Sequence, residues 1–351
     1  MKKILYLLFI LLILLVLVVL GRSFAQLQQH KATKVREGKG IDRLFYLNIR
    51  GQKTAILARG KNLRNPMLLM IHGGPGYPDM MLARCYDEAL LDEFTVIRYD
   101  QRGIGKSRTE DINLDNLSIE LLTQDLLALT DALKEQIPNV DIYLLGHSWG
   151  TVLGLKAVHI APTKFKAYIG MGQIVHQQKG DSISHSYSLE QAKKANDQED
   201  IKSLEGMKAN RYNRKPEQLK LQRSILKKYK GSHFKEGVMT DLRNCVLKSP
   251  EMSVLELLTY QSQGAEMDQK LFPRLLALNF FEEILKLELP IYFFGGRHDY
   301  HVPSILAEAY LEELEAPKKR FIWFEESGHL PIYEENEKFV SSLKELKAST
   351  P

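Results

Sequence analysis

Gly146-His147-Ser148-Trp149-Gly150 sets a serine between two glycines, directly after the apolar run Ile142–Leu145 and directly before the helix-prone Thr151–Ala161. A strand–turn–helix setting of this kind presents a serine hydroxyl as a nucleophile. The turn demands strained backbone angles at the serine, and side chains at positions 146 and 150 would collide with the neighbouring strand and helix. The hydroxyl then stands at a helix N-terminus, whose partial positive charge favours a developing anion.

A serine hydroxyl is a poor nucleophile until a base removes its proton, and the base needs a third group to fix its tautomer. With an elbow of this type the acid follows the serine along the chain and the histidine comes last. Asp299 stands just past the apolar run Tyr292–Phe294 in a glycine-bearing loop, with Pro303 opening the next helix. His329 follows the run Phe321–Glu326 through Ser327-Gly328. These spacings assign His329 as the base and Asp299 as its orienter. Glu325 and Glu326 are the competing acids, but they would crowd the base's own loop. His298 and His301 flank Asp299 without a further His, Asp or Glu at ligand spacing, so no metal site is expected.

The tetrahedral intermediate needs donors for its oxyanion. One is the backbone N–H of Trp149, next after the nucleophile; the other belongs to the loop after the third strand. There the chain reads His72-Gly73-Gly74-Pro75-Gly76, so Gly74 or Gly73 is the second donor. The loop Asp100-Gln101-Arg102-Gly103-Ile104-Gly105-Lys106-Ser107 invites a phosphate-loop reading. Asp100 stands where that motif requires its first glycine, which rejects it. The loop reads as scaffold, braced by Asp100 and Arg102.

These residues need a frame that brings them together. Short β-prone runs at Leu44–Ile49 and Thr54–Ala58 flank a hairpin signal, Arg50-Gly51-Gln52-Lys53. Met67–Ile71, Phe94–Tyr99, Ile142–Leu145 and Ala167–Met171 are continuously apolar, as strands buried on both faces should be. Between them lie a helix-like Met80–Leu91 and an amphipathic stripe, Leu122, Leu126, Leu129, Leu133 and Ile137. The alternation predicts an α/β fold with a mostly parallel, doubly wound sheet and its ligand site at the carboxyl ends of the strands. From about Gln173 to Leu287 strand runs vanish. Helical, charged segments take over at Leu189–Glu205, Pro216–Tyr229, Val254–Tyr260 and Phe272–Leu285, which read as an inserted helical lid. The sheet resumes at Pro290–Phe294 and Arg320–Phe324, with helices Pro303–Leu314 and Glu335–Lys347. The expected division is an N-terminal anchor or signal peptide over 1–24 and a tether over 25–40. The core then occupies 41–172 and 288–351, with the lid over 173–287.

The N-terminus carries its own signal. Met1-Lys2-Lys3 precedes an unbroken apolar run, Ile4 to Leu20. At 1.5 Å per residue that run covers about 25 Å, enough for a thin bilayer. Its length and the following Arg22 favour a retained transmembrane anchor over a cleaved signal peptide, although Ser23-Phe24-Ala25 offers small residues for cleavage. Lys2 and Lys3 place the short tail in the cytoplasm and the catalytic domain outside it, in a single-pass arrangement at the cell membrane. Across 351 residues the chain is 44% hydrophobic and 26% charged with a net charge of +5, ordinary for a globular protein. Its basic residues form no dense stripe, so no nucleic-acid partner is expected. Two cysteines, Cys85 and Cys245, permit at most one disulfide.

Taken together, His72-Gly73-Gly74-Pro75-Gly76, Asp100-Gln101-Arg102-Gly103, Gly146-His147-Ser148-Trp149-Gly150 and the Asp299/His329 pair resemble the α/β-hydrolase superfamily, in its prolyl iminopeptidase-like branch. The resemblance spans roughly Asp42 to Leu346. It implies the α/β-hydrolase fold, hydrolysis of an amide or ester through a serine acyl-enzyme, and no cofactor. Within this branch it implies removal of an N-terminal residue, often proline, from short peptides. The chain departs from the branch in carrying His147 before the nucleophile, where a glycine is usual. Relatives hold the substrate amine with lid carboxylates; Glu205, Glu236 and Glu256 are the candidates here. The expected activity is thus aminopeptidase-like. A carboxylic-ester or lactone hydrolase on the same machinery is the alternative, and a non-catalytic binding protein a remote one. A carboxylate opposite Ser148 would favour the aminopeptidase and an apolar pocket the esterase.

Overall fold

A computed structural model describes residues 2–35, 38–138, 140–207 and 216–350. Eight strands form one sheet: β1 (Ile41–Ile49), β2 (Gln52–Gly60), β3 (Met67–Ile71), β4 (Thr95–Tyr99), β5 (Ile142–His147), β6 (Ala167–Met171), β7 (Ile291–Gly296) and β8 (Lys319–Phe324). Their order is β1-β2-β4-β3-β5-β6-β7-β8. β1 and β2 form the expected antiparallel hairpin, β2 runs antiparallel to β4, and every later pair is parallel.

Successive residues of the inner strands feed two separate cores, as the two-residue period of a strand requires. Leu69, Ile71 and Leu144 pack on one face with the helices Ile119–Gln136, Trp149–Ile160 and Ser304–Glu313. Leu68, Met70, Tyr143 and Leu145 pack on the other with Phe339, Val340 and Leu343 of the helix Asn336–Ser349. Burial on both faces explains why these strands read as uninterrupted apolar runs.

Between β6 and β7 the described residues form helices at Gln177–Lys194, Gln198–Glu205, Pro216–Lys228, Val238–Lys248, Val254–Leu276 and Phe280–Glu283. Several boundaries differ from expectation. The single segment Leu189–Glu205 is two helices broken at Asn196, whose φ is 54°. The first of them begins twelve residues earlier than expected, because its buried face is built of small and polar residues (Gly180, Ser184, Ser188) and has no apolar stripe. Val254–Tyr260 and Phe272–Leu285, expected as separate helices, are joined into one reaching Leu276. Its buried side is set by Gly264, Met267, Leu271 and Leu275 across the polar stretch between. The helix-like Met80–Leu91 is broken into three short turns, since buried Asp87 folds back to accept two hydrogen bonds from Arg98 at 2.7 and 2.8 Å.

The N-terminal helix runs from Lys2 to Thr33. Its first nineteen residues, 2–20, are all exposed and apolar from Ile4 on, whereas Arg22, Ala25, Gln26, Gln29, His30 and Thr33 are half-buried at helical spacing. The expected tether over 25–40 is therefore helical and docked through Thr33, with Arg36 and Glu37 outside the described residues. Gln26 Nε2 donates to the carbonyls of Ser249 and Met252 at 2.6 and 3.0 Å, and Arg59 Nη2 donates to Thr33 O at 2.6 Å. Beside this seam Arg84 bridges Asp42 (3.0 Å) and Glu251 (2.7 Å), and Cys85 is disulfide-bonded to Cys245. Leu144, fully buried at the middle of the sheet, tests the packing argument. Leu144→Ala should lower the unfolding free energy by about 2–5 kcal/mol in urea titrations, and a loss well below 1 kcal/mol would contradict it.

Candidate active site

Ser148 stands at φ 51°, ψ −119°, a conformation L-residues rarely adopt, at the junction of β5 and the helix Trp149–Ile160. A Cβ at position 146 would come 2.7 Å from Gly150 O, and one at position 150 would come 2.8 Å from His72 O. Both glycines are thus required by close approach of backbones. The turn is held from several sides: Ser148 N donates to Met171 O at 2.9 Å, and Thr151 N donates to Ser148 O at 2.9 Å. Thr151 Oγ1 also donates to Ser148 O while accepting from Ile174 N.

Asp299 and His329 leave the ends of β7 and β8 and meet. His329 Nδ1 lies 2.7 Å from Asp299 Oδ2, an arrangement in which Nδ1–H donates to the carboxylate and Nε2 is left as the basic nitrogen. Asp299 Oδ1 accepts the backbone N–H groups of His301 and Val302, both at 2.9 Å. The imidazole lies over Gly172, where a Cβ would be 2.8 Å from its Cε1. Gly172 directly follows Met171, whose carbonyl holds Ser148. Among the described residues no hydrogen bond joins the imidazole to the Ser148 hydroxyl; such catalytic contacts often tighten only when substrate engages. Glu325 pairs with Arg297 on the exposed side of the loop, and Glu326 is likewise exposed.

The histidine's loop is fixed by groups that the sequence did not single out. Glu334 Oε2 accepts Gly328 N (2.8 Å) and Leu330 N (3.3 Å), and His329 N donates to Ser232 O at 2.8 Å. His147 Nε2 donates to His329 O at 3.1 Å, and the two rings lie 5.1 Å apart. Burial, with the nearby His329, pushes the His147 pKa down to about 3, so this ring is neutral. A histidine one residue before the serine was the available signal for this contact. Nothing in the sequence marked Glu334.

On the side of the loop after β3, Gly74 lines the cavity with Ser148, and a Cβ at Gly73 would lie 3.3 Å from Ser148 Cβ. Gln101 ties the two loops together. Its Nε2 donates to His72 O, and its Oε1 accepts from Trp149 Nε1, each at 3.0 Å. The expected bracing holds around it: Asp100 Oδ2 accepts Lys106 N at 2.7 Å, and Arg102 grips Asp125 through two bonds of 2.6 and 2.9 Å. Burial raises the Asp100 pKa to about 7 despite that backbone hydrogen bond.

Ser148 opens into a cavity of about 60 Å³ whose far wall is the helical insertion. Asp181, Gln222, Arg223 and Asp268 supply polar groups together with Gln177, Ser184 and His301, and Phe272 and Leu275 give part of its apolar surface. Among the described residues Gln222 Oε1 is buried without a hydrogen-bond partner. The three glutamates proposed from the sequence lie elsewhere, which corrects that expectation. Glu205 and Glu236 are exposed and paired with Lys193 and Lys230, and Glu256 caps its own helix and binds Lys106 at 2.7 Å. Spacing along the chain could not show which acidic residues of six helices face the serine.

Comparison with known proteins bears on the family and the fold. The profile of the α/β-hydrolase fold family matches residues 66–336. The chain is 29% identical over 313 residues to the probable aminopeptidase YbaC of Bacillus subtilis, covering 88% of this chain and 97% of that protein. Its fold superposes on a proline iminopeptidase-related protein from Thermus thermophilus with a TM-score of 0.60 and 19% identity, over 88% of this chain and 98% of that one. An esterase from Exiguobacterium antarcticum superposes with a TM-score of 0.59 and 20% identity, over 88% and 100% of the two chains.

The neutral His147 gives a pH test. Its folded pKa lies below the unfolded value near 6.5, so the unfolded chain takes up the proton first and stability is lost as pH falls below that value. Against His147→Gln, the wild-type advantage in unfolding free energy should shrink by up to about 1.4 kcal/mol per pH unit between about pH 6 and pH 4. The opposing contribution of Asp100 is common to both proteins and cancels. A difference independent of pH would show that the ring titrates normally.

Proposed function

Since the chain belongs to the α/β-hydrolase family, in its prolyl iminopeptidase-like branch, we propose that it is a membrane-tethered serine aminopeptidase acting on short peptides. Ser148 is the nucleophile, His329 the base and Asp299 its orienter. The N–H groups of Trp149 and of Gly74, with Gly73 next to it, receive the oxyanion. The helices of 173–287 form the lid over this site.

His329 Nε2 takes the Ser148 proton as Oγ attacks the acyl carbon, and the carbonyl oxygen becomes an oxyanion facing the two N–H donors. Collapse breaks the C–N bond while His329 returns the proton to the leaving amine. Water, deprotonated by the same imidazole, then hydrolyses the acyl-enzyme and regenerates Ser148. Nothing in these steps calls on a cofactor.

The observation that carries the peptide reading is the polar wall opposite Ser148: Asp181, Asp268 and the unpartnered Gln222 Oε1 line one narrow cavity with the nucleophile. Carboxylates and an amide oxygen there suit a protonated N-terminal amine, the group that distinguishes an aminopeptidase substrate from a simple ester. Arg223 on the same wall offsets one of the two carboxylate charges and leaves the other for the amine. The name of the Bacillus subtilis relative points the same way. The exposed apolar helix over 2–20 supports the anchor, and the Cys85–Cys245 disulfide supports a catalytic domain in an oxidising, extracytoplasmic compartment.

Turnover of prolyl, alanyl and leucyl arylamides should be compared with that of short-chain aryl esters in the wild type, Asp181→Asn and Asp268→Asn. Losing a charge-assisted hydrogen bond to the amine should lower arylamide kcat/KM by about 10- to 100-fold and leave ester turnover nearly unchanged. Ester-only turnover by the wild type, or arylamide rates indifferent to both substitutions, would contradict the aminopeptidase reading and favour the ester hydrolase.

A further inference from the structure

The insertion carries an apolar strip that the hydrolase reading does not use. Leu255 and Leu258, with relative exposures of 70% and 75%, stand one turn apart on the helix Val254–Leu276, and Val254 beside them is 42% exposed. Leu247, at the end of the helix Val238–Lys248, is exposed as well. Single exposed leucines are ordinary, but several collected at one place call for a partner.

Their position says which partner. Arg22 and Gln26 of the N-terminal helix donate to Met252 O, two residues before Val254, so the strip begins where that helix leaves the body. On the other side of Arg22 the apolar run Ile4–Leu20 is exposed along its whole length. The exposed charged side chains between Asp241 and Tyr260 are Asp241, Arg243 and Lys248, and the other exposed ones there are apolar or neutral. Glu256, within the strip's own turn, points inward to Lys106, and Glu251 is buried against Arg84. Exposed apolar residues continuous with a membrane-length helix, with basic residues outnumbering acidic ones on the neighbouring exposed surface, fit the interfacial layer of a bilayer.

We propose that the first two turns of the helix Val254–Leu276 lie in the bilayer interface beside the N-terminal anchor. The inference rests on that anchor being retained. Further along, the same helix packs Gly264 and Met267 against Gly76 and contributes Asp268, Phe272 and Leu275 to the Ser148 cavity. From Leu258 to Asp268 is about 15 Å of helix. One continuous element therefore touches the membrane at one end and walls the active site at the other, which fixes the orientation of the cavity to the lipid surface. The grip of Gln26 on Ser249 O and Met252 O, together with the disulfide, holds this geometry.

The test uses the full chain in vesicles of phosphatidylethanolamine and phosphatidylglycerol. Both native cysteines are consumed by the disulfide, so Leu258→Cys provides one thiol for an environment-sensitive fluorophore. Ile160→Cys, 55% exposed at the end of another helix, is the control. Retention after carbonate washing reports the anchor. Lipids with a quencher near the headgroup should remove about half or more of the emission at 258 and little at 160. A retained chain whose probe at 258 is water-exposed would overturn this inference and leave the anchor standing. A blue-shifted probe at 258 that lipid does not quench would mean that a second copy of the chain covers the strip, which also overturns it. Release by carbonate would overturn the anchor itself and this inference with it.

Discussion

The structure depends on one steric constraint: backbones that approach too closely for any Cβ at the junction of β3, β5 and the helix after the serine. Gly146 faces Gly150 and Thr151, and Gly150 faces the last residues of β3 and His72. The strain at Ser148 is of the order of 1–3 kcal/mol, and such strain survives only where the surroundings over-determine it. Here they do. Ser148 N is bound to the end of β6, its carbonyl to Thr151, and Thr151 in turn to Ile174. The same closeness brings the glycine loop after β3 beside Ser148.

A second feature is how far the insertion supports the chemistry of the sheet. The loop bearing His329 is bound by Ser232 O, and a Cβ at Gly328 would lie 2.7 Å from that same oxygen. Tyr300 N donates to Gly231 O, which brings the loop bearing Asp299 under the same segment. Glu334 holds both sides at once, taking Gly328 N and Leu330 N with one oxygen and Lys235 N with the other. His329 and Asp299 are therefore positioned jointly by core and insertion. At the opposite end the disulfide and the Arg84 cluster join the insertion to β1 and the N-terminal helix.

Much of this was legible in the sequence because buried parallel strands leave an unambiguous trace. Met67–Ile71 and Ala167–Met171 coincide with β3 and β6, and the remaining strands are shifted by a few residues at their ends. Asp299 and His329 could be placed because each follows such a run at once. The insertion was less legible. Its helices bury small and polar faces, as at Gly180, Ser184 and Ser188, so apolar periodicity understated their length. Choosing the acids of the cavity needs the rotation of each helix, which is set by tertiary packing. Asp181 and Asp268 were therefore passed over for glutamates that turn out to cap or pair elsewhere. The docked half of the N-terminal helix was missed for a similar reason: Gln26 and Arg22 are held by backbone carbonyls more than two hundred residues away.

The central claim is that the strained turn at 148 carries an activated serine. Treatment of the intact chain with a fluorophosphonate, followed by peptide mass spectrometry, tests it most directly. The account predicts a single adduct on Ser148, absent from a folded Ser148→Ala variant and much slower to form in His329→Ala. An adduct on another residue, or labelling of Ser148 at an undiminished rate without His329, would contradict it.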